Sequence, residues 1–137
     1  MSKYSTKDLE RMSPMKLGET GSIEALPFVV NFLDKGSVNE VRLAASAIKK
    51  IATKYKSQCL IAVPNLINAL DSDGPQARQY VLNTLLDLNG SEVQVYKEHF
   101  EEIVEHDPKS YNREAAKRIL FGTSSQSESK QEPEIDD

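Results

Sequence analysis

The chain repeats itself with a period of 37 residues. Displaced by 37 positions, Leu26-Pro27 falls on Val63-Pro64, Asp34 on Asp71, Ala44 on Val81, Ile48 on Leu85 and Ile51 on Leu88, without a gap. A fixed period of this size, each unit carrying two amphipathic segments of helical spacing, is the signature of an α-solenoid. Such units bury a core by stacking on one another and present an extended surface rather than a closed pocket, which points to a binding module.

In the first full unit Ser22 is a helix N-cap, and Leu26, Val29, Val30 and Leu33 recur at helical spacing, which predicts helix A over 23–34. Pro27 lies inside that span, so either the preceding residues form a separate first turn or the helix kinks there. Lys35-Gly36-Ser37 breaks the pattern, and Val41, Ala44, Ala45, Ala47, Ile48, Ile51 and Ala52 form helix B, ending near Lys56. The second unit repeats the plan. Val63-Pro64, Leu66, Ile67 and Leu70 make its helix A, and Asp71-Ser72-Asp73-Gly74-Pro75 is a turn whose proline starts helix B. Asn89-Gly90 closes that helix as a C-terminal stop that tolerates a left-handed backbone.

A third unit is degenerate, as befits the end of a stack. Phe100, Ile103 and Val104 match the second unit at an offset of 34, Arg113, Ala116, Ile119 and Leu120 at 35, with Glu105-His106-Asp107-Pro108 as the turn. Upstream, Leu9 to Leu17 reads as a lone helix B, in one or two pieces because Ser13-Pro14 looks like a start, and Gly18-Glu19-Thr20-Gly21 closes it. The expected organisation is a helical half-repeat over 1–21, repeats over 22–122 and a disordered acidic tail over 123–137, with about three and a half helix pairs in all.

An acid ends each helix A (Asp34, Asp71, Glu105), an Arg opens helix B in two units (Arg78, Arg113), a proline sits in helix A, and helix B carries small residues. Together these resemble the HEAT-repeat superfamily, closest to the short units of its bilin-lyase-like branch, over about residues 9–121. The resemblance implies an all-α, right-handed α-solenoid whose B helices line the concave side. It also brings in a DNA-repair-like cradle for a duplex and an accessory role in a bilin-lyase-type complex. An acid and an Arg in successive loops can bridge neighbouring units. Val41 stands where the Arg is expected in the first unit, with Arg42 one position later.

Net charge narrows the partners. The 137 residues carry −4, but the tail alone has Glu128, Glu132, Glu134, Asp136 and Asp137 against Lys130, leaving 16 acids and 16 bases in 1–122. A neutral body has little bulk attraction for nucleic acid, and the chain has no Trp to stack on bases. No run is long and apolar enough to span a membrane, and a lone Cys59 excludes a disulfide framework. A soluble cytoplasmic protein is the expectation.

The residues suited to chemistry are few. Cys59 precedes an apolar run and reads as a packed hydrophobe; His99 and His106 are seven apart, but helix A of the third unit is expected to end before His106. Neither Gly18-x-x-Gly21 nor Gly74-Pro75 has the strand and Gly-Lys-Ser/Thr of a phosphate loop, so both read as inter-helix turns, and Met12 and Met15 cover the N-terminal end. No catalytic residue, metal ligand or cofactor is implied. The candidate surface is the outward face of the B helices: Arg42, Ser46, Lys49 and Lys50 on the first; Gln79, Leu82, Asn83 and Leu86 on the second; Lys117 and Arg118 on the third. Basic ends around an apolar middle, Leu82 and Leu86, suit a peptide or partner helix. The same cations, with Lys54, are what a nucleic acid would contact.

Overall fold

Pro27 and Pro64 forbid an uninterrupted helix at two equivalent places, and the chain resolves both in the same way. In a computed structural model describing residues 3–122, a 3-10 turn, Ile23–Ala25 or Leu60–Ala62, is followed directly by a helix that places the proline in its first turn. There its missing N–H has no intrahelical partner to lose. The helices are α1 (Thr6–Glu10), α2 (Pro14–Thr20), α3 (Leu26–Lys35), α4 (Val38–Cys59), α5 (Val63–Ala69), α6 (Pro75–Asp87), α7 (Ser91–Gln94), α8 (Lys97–His106) and α9 (Ser110–Phe121). No strand occurs among the described residues, and no helix among them is long and apolar enough to cross a membrane. The acidic tail expected over 123–137 lies outside the described residues.

Serine hydroxyls start several of these helices. Ser5 and Ser37 each close a reciprocal capping box, with Asp8 and Glu40, and Ser13 caps α2 just ahead of Pro14. Accepting the Ser5 N–H and the Ser5 hydroxyl holds the Asp8 carboxyl below its ordinary value. The upstream segment is therefore two short helices, one of the two expected alternatives. Helix α4 loses helical geometry at Tyr55 (φ −125°, ψ 48°), next to the expected end at Lys56, and resumes for one turn to Cys59.

Three contacts fix the direction of α4 against α6. The Arg42 guanidinium lies 5.3 Å from the Tyr80 ring centre, the buried Thr84 hydroxyl donates to the Ala45 carbonyl at 2.8 Å, and Lys49 sits 4.0 Å from Asp87. Each step along α4 is matched by a similar step along α6, so the two run parallel. Helix α9 lies along α6 in the same sense: Asn112, near its start, donates to the Pro75 carbonyl at 3.1 Å, and Asn89, just past the end of α6, donates to the Ile119 carbonyl at 3.1 Å. On the other flank α2 packs against α4, while α3 packs on α4 and α5, and α8 on α9. The core between these rows runs through Leu17, Val29, Ile48, Leu66, Leu85, Phe100 and Ile119, all fully buried.

Two glycines differ from expectation. Gly90 is extended (φ 167°) rather than left-handed; α6 ends on Leu88, and the chain passes straight into α7. Gly18 does not close α2 but lies within it, and the left-handed cap is Gly21 (φ 62°). Gly18 is where α2 touches α4, since a Cβ there would stand 2.8 Å from both Cα and Cβ of Ala47. Alanine is intrinsically about 1 kcal/mol better than glycine in a helix, yet here the clash dominates. Gly18→Ala is expected to lower stability by about 1–2 kcal/mol in urea unfolding, and Ala47→Gly in the same chain to restore part of the loss. An unchanged or raised midpoint for Gly18→Ala would mean that α2 does not seat on Ala47.

Candidate functional site

The outward face of α4, α6 and α9 is polar because the helices spend their apolar residues on the core side. Between α4 and α6 this face sinks into a hollow of about 350 Å³ lined by Ser46, Lys49, Gln79, Tyr80, Asn83 and Thr84. Ser46, Gln79 and Asn83 are half-buried, and none of the three side chains has a hydrogen-bond partner among the described residues. Gln79 and Asn83 are one turn apart on α6, so their amides point the same way, each offering a carbonyl acceptor and an NH₂ donor. A second hollow, of about 700 Å³, lies over the starts of the three parallel helices, with Val38, Arg42, Pro75, Lys109 and Tyr111 in its walls. Arg42 also donates to Asn39 at 2.6 Å and lies over the ring of Tyr80, which lines the first hollow.

Sequence-expected site residues fall into three groups here. Arg42, Ser46, Lys49, Gln79 and Asn83 converge on the hollows. Lys50, Lys117 and Arg118 are exposed; Lys117 reaches Glu114 at 3.6 Å, whereas Lys50 and Arg118 make no ion pair among the described residues. Leu82 does not belong to the face at all. It is 0 % exposed, because α9 packs along the side of α6 that carries it, and Leu86 is half-buried against the core. The apolar middle is replaced by amides and by Tyr80. Tyr80 and Tyr111 line these hollows but were not among the residues expected from the sequence. The spacing of Tyr80 from Thr84, one turn apart on the flank of α6 nearest α4, carried the signal.

A further cleft, of about 440 Å³, opens on the opposite side between the end of α5 and α8, with Leu70 and Ile103 as apolar walls and Asp71, Glu98, His99, Glu102 and His106 around it. Helix α8 extends through His106, so both histidines belong to one helix, contrary to expectation; the helix runs on because Asp107, extended (ψ 131°), is the first residue to leave it. His106 lies 3.7 Å from Glu102, and both are exposed. Among the described residues no three His, Cys, Asp or Glu side chains are arranged to hold a metal ion. Cys59 is fully buried, and burial raises its thiol pKa.

The floor of this cleft is an ion pair. Arg78 donates from Nε to Asp107 Oδ2 at 2.8 Å and from its second amino group to Oδ1 at 3.3 Å, with side chains only 13 % and 4 % exposed. The same Arg78 donates to the Ser72 carbonyl, Asp107 Oδ1 accepts the Lys109 N–H at 3.0 Å, and the Asp107 carbonyl accepts from Arg113 at 2.7 Å. Arg78 of the second sequence unit thus holds the turn of the third, but through Asp107 rather than the expected Glu105. The corresponding junction upstream is neutral on one side: Asn65 donates to both oxygens of Asp34, at 3.0 and 3.1 Å.

No family model, no curated protein and no solved structure matches this chain.

Burial by itself pushes the Asp107 carboxyl upward, but the Arg78 hydrogen bonds, the Lys109 N–H, the Arg78 charge and Asn112 together hold it below its ordinary 3.8. A lowered folded-state pKa contributes stability in full above the unfolded value and loses it as pH falls through the folded one. Asp107→Ala should therefore cost about 3 kcal/mol near pH 7, by stranding Arg78. The gap to the parent should narrow in urea melts as the pH drops below about 4. A gap that stays constant through that range would rule the ion pair out as the source.

Proposed function

We propose that this chain is a non-catalytic protein-binding module, a short HEAT-like right-handed α-solenoid of about three and a half helix pairs that takes an extended peptide along its α4–α6–α9 face. The observation that carries the reading is the hollow between α4 and α6, where the half-buried side chains of Ser46, Gln79 and Asn83 make no hydrogen bond among the described residues. Their polar atoms stay open to solvent, and an arriving main chain with its alternating N–H and C=O supplies partners for them. The 37-residue period and the parallel course of α4, α6 and α9 support the HEAT-like reading.

A partner helix suits the site less well, because Leu82, one of the two apolar anchors such a helix would use, lies in the core. A nucleic acid is disfavoured by the neutral body and by the engagement of Arg42 with Tyr80 and of Lys49 with Asp87.

Selection of a displayed random-peptide library on the full chain tests the proposal. Peptides enriched by the parent should bind Gln79→Ala/Asn83→Ala at least tenfold more weakly, the equivalent of about 1.4 kcal/mol, while Glu98→Gln in the opposite cleft leaves binding intact. Enrichment of peptides that bind both variants equally, or of none, would refute the site.

A further inference from the structure

Two successive junctions start from the same residue plan and end differently. Upstream, Asp34 near the end of α3 accepts from Asn65 near the start of α5, and the two helices pack together. One unit on, Asp71 stands in the place of Asp34 at the offset of 37, and His99 in the place of Asn65 at the offset of 34. An acid and a nitrogen-bearing side chain again line one junction, but no hydrogen bond joins them. The His99 ring lies edge-on to Tyr96 instead, at 5.8 Å, and α8 packs on α9 rather than along α5. Ile103 takes the place of Ala69 at the offset of 34. It is the larger side chain, yet it is only half-buried where Ala69 is buried. The second junction therefore stands open, and the opening is the cleft of about 440 Å³ between the end of α5 and α8.

The charges in this cleft are unbalanced. Arg78 is the one Lys or Arg that lines it, and its donors already go to Asp107 and to the Ser72 carbonyl on the floor. The carboxylates of Asp71 and Glu98 meet no cation among the described residues, and Glu102 has only His106, at 3.7 Å. Glu98 and Glu102 are one turn apart on α8 and form one lip of the cleft; Asp71, just past α5, forms the other. Between the lips are the apolar walls, Leu70 and Ile103. Such a groove complements a cation with an apolar stem. Its volume lies near the small end of the roughly 300–1,000 Å³ of ligand pockets, which suits one long side chain better than a length of main chain. Acceptors on two opposed lips favour a planar guanidinium, whose forked donors reach both sides, over the point charge of an ammonium.

We infer that the α5–α8 cleft is a docking pocket for an arginine side chain presented by a partner protein. The guanidinium lies between Asp71 and the Glu98–Glu102 lip, and its stem lies on Leu70 and Ile103. The partner thereby supplies from outside the donor that Asn65 supplies from within at the upstream junction. The cleft shares no lining residue with the hollow between α4 and α6, so this site and the peptide groove stand or fall separately.

Titration of the full chain with the tripeptide amide acetyl-Ala-Arg-Ala, followed by amide NMR, tests the assignment. The signals of Asp71, Glu98, Glu102 and Ile103 should shift and saturate, and the lysine counterpart should bind severalfold more weakly. Asp71→Asn/Glu98→Gln should weaken binding about tenfold; both residues are exposed, so an unchanged urea midpoint is expected of this variant. Glu101→Gln/Glu105→Gln removes the same charge from α8 residues that do not line the cleft, and should leave binding unchanged. Equal weakening in the two double variants would show a diffuse acidic field in place of a site and overturn the inference. A shift that does not saturate, or one centred on Gln79 and Asn83, would overturn it too. Equal binding of the lysine peptide would refute the guanidinium assignment.

Discussion

Two parallel helices lie close together only where the residues between them are small and any polar atom left between them finds a partner. Helix α4 meets the first condition with Ala44, Ala45, Ala47 and Ala52 on its buried side, and the second where the Ala45 carbonyl takes the Thr84 hydroxyl. Its two flanks are used differently. Ala47 receives Gly18 of α2, and the Ala45 flank receives α6. Because α4 is gripped from both sides, its outward residues and those of α6 are held at fixed separation, and the hollow between them is a property of the backbone rather than of loop conformation.

The chain also joins its successive turns by two kinds of chemistry. Upstream, an amide holds an exposed carboxylate, Asn65 on Asp34; downstream, an arginine holds a buried one, Arg78 on Asp107. The second arrangement is the stronger and gathers more of the backbone, because Asp107 also ties down the start of α9 through the Lys109 N–H and Arg113. Fully buried Asn112 adds a bond to the Pro75 carbonyl, although its own Oδ1 has no donor within reach.

Helix positions were legible because the apolar spacing and its 37-residue echo bind each segment to a face; the division at Ser13-Pro14 follows from the proline, whereas the helix expected to end near Lys56 runs on to Cys59 past a break at Tyr55. Other features depend on which neighbour arrives. Nothing local tells Leu82 from Leu86: both lie at the edge of the apolar stripe, and it is the packing of α9 along α6 that buries one fully and leaves the other half-covered. Likewise Gly18 looked like punctuation beside Gly21, because a glycine required by a close approach and one required by a left-handed turn are the same letter. Asp107 for Glu105 is a similar case, since the shorter acid two residues later sits in the extended stretch that Arg78 can reach.

The unequal junctions have a consequence for how the molecule comes apart. A junction held by a buried ion pair is sensitive to acid, as is the Ser5–Asp8 capping box, in a way that an alanine seam is not. Protonation of Asp107 therefore loosens the tie between Arg78 on α6 and the turn that leads into α9. Cohesion in this molecule is thus of two kinds, steric where Gly18 and α6 seat on α4 and electrostatic where α6 meets the turn before α9.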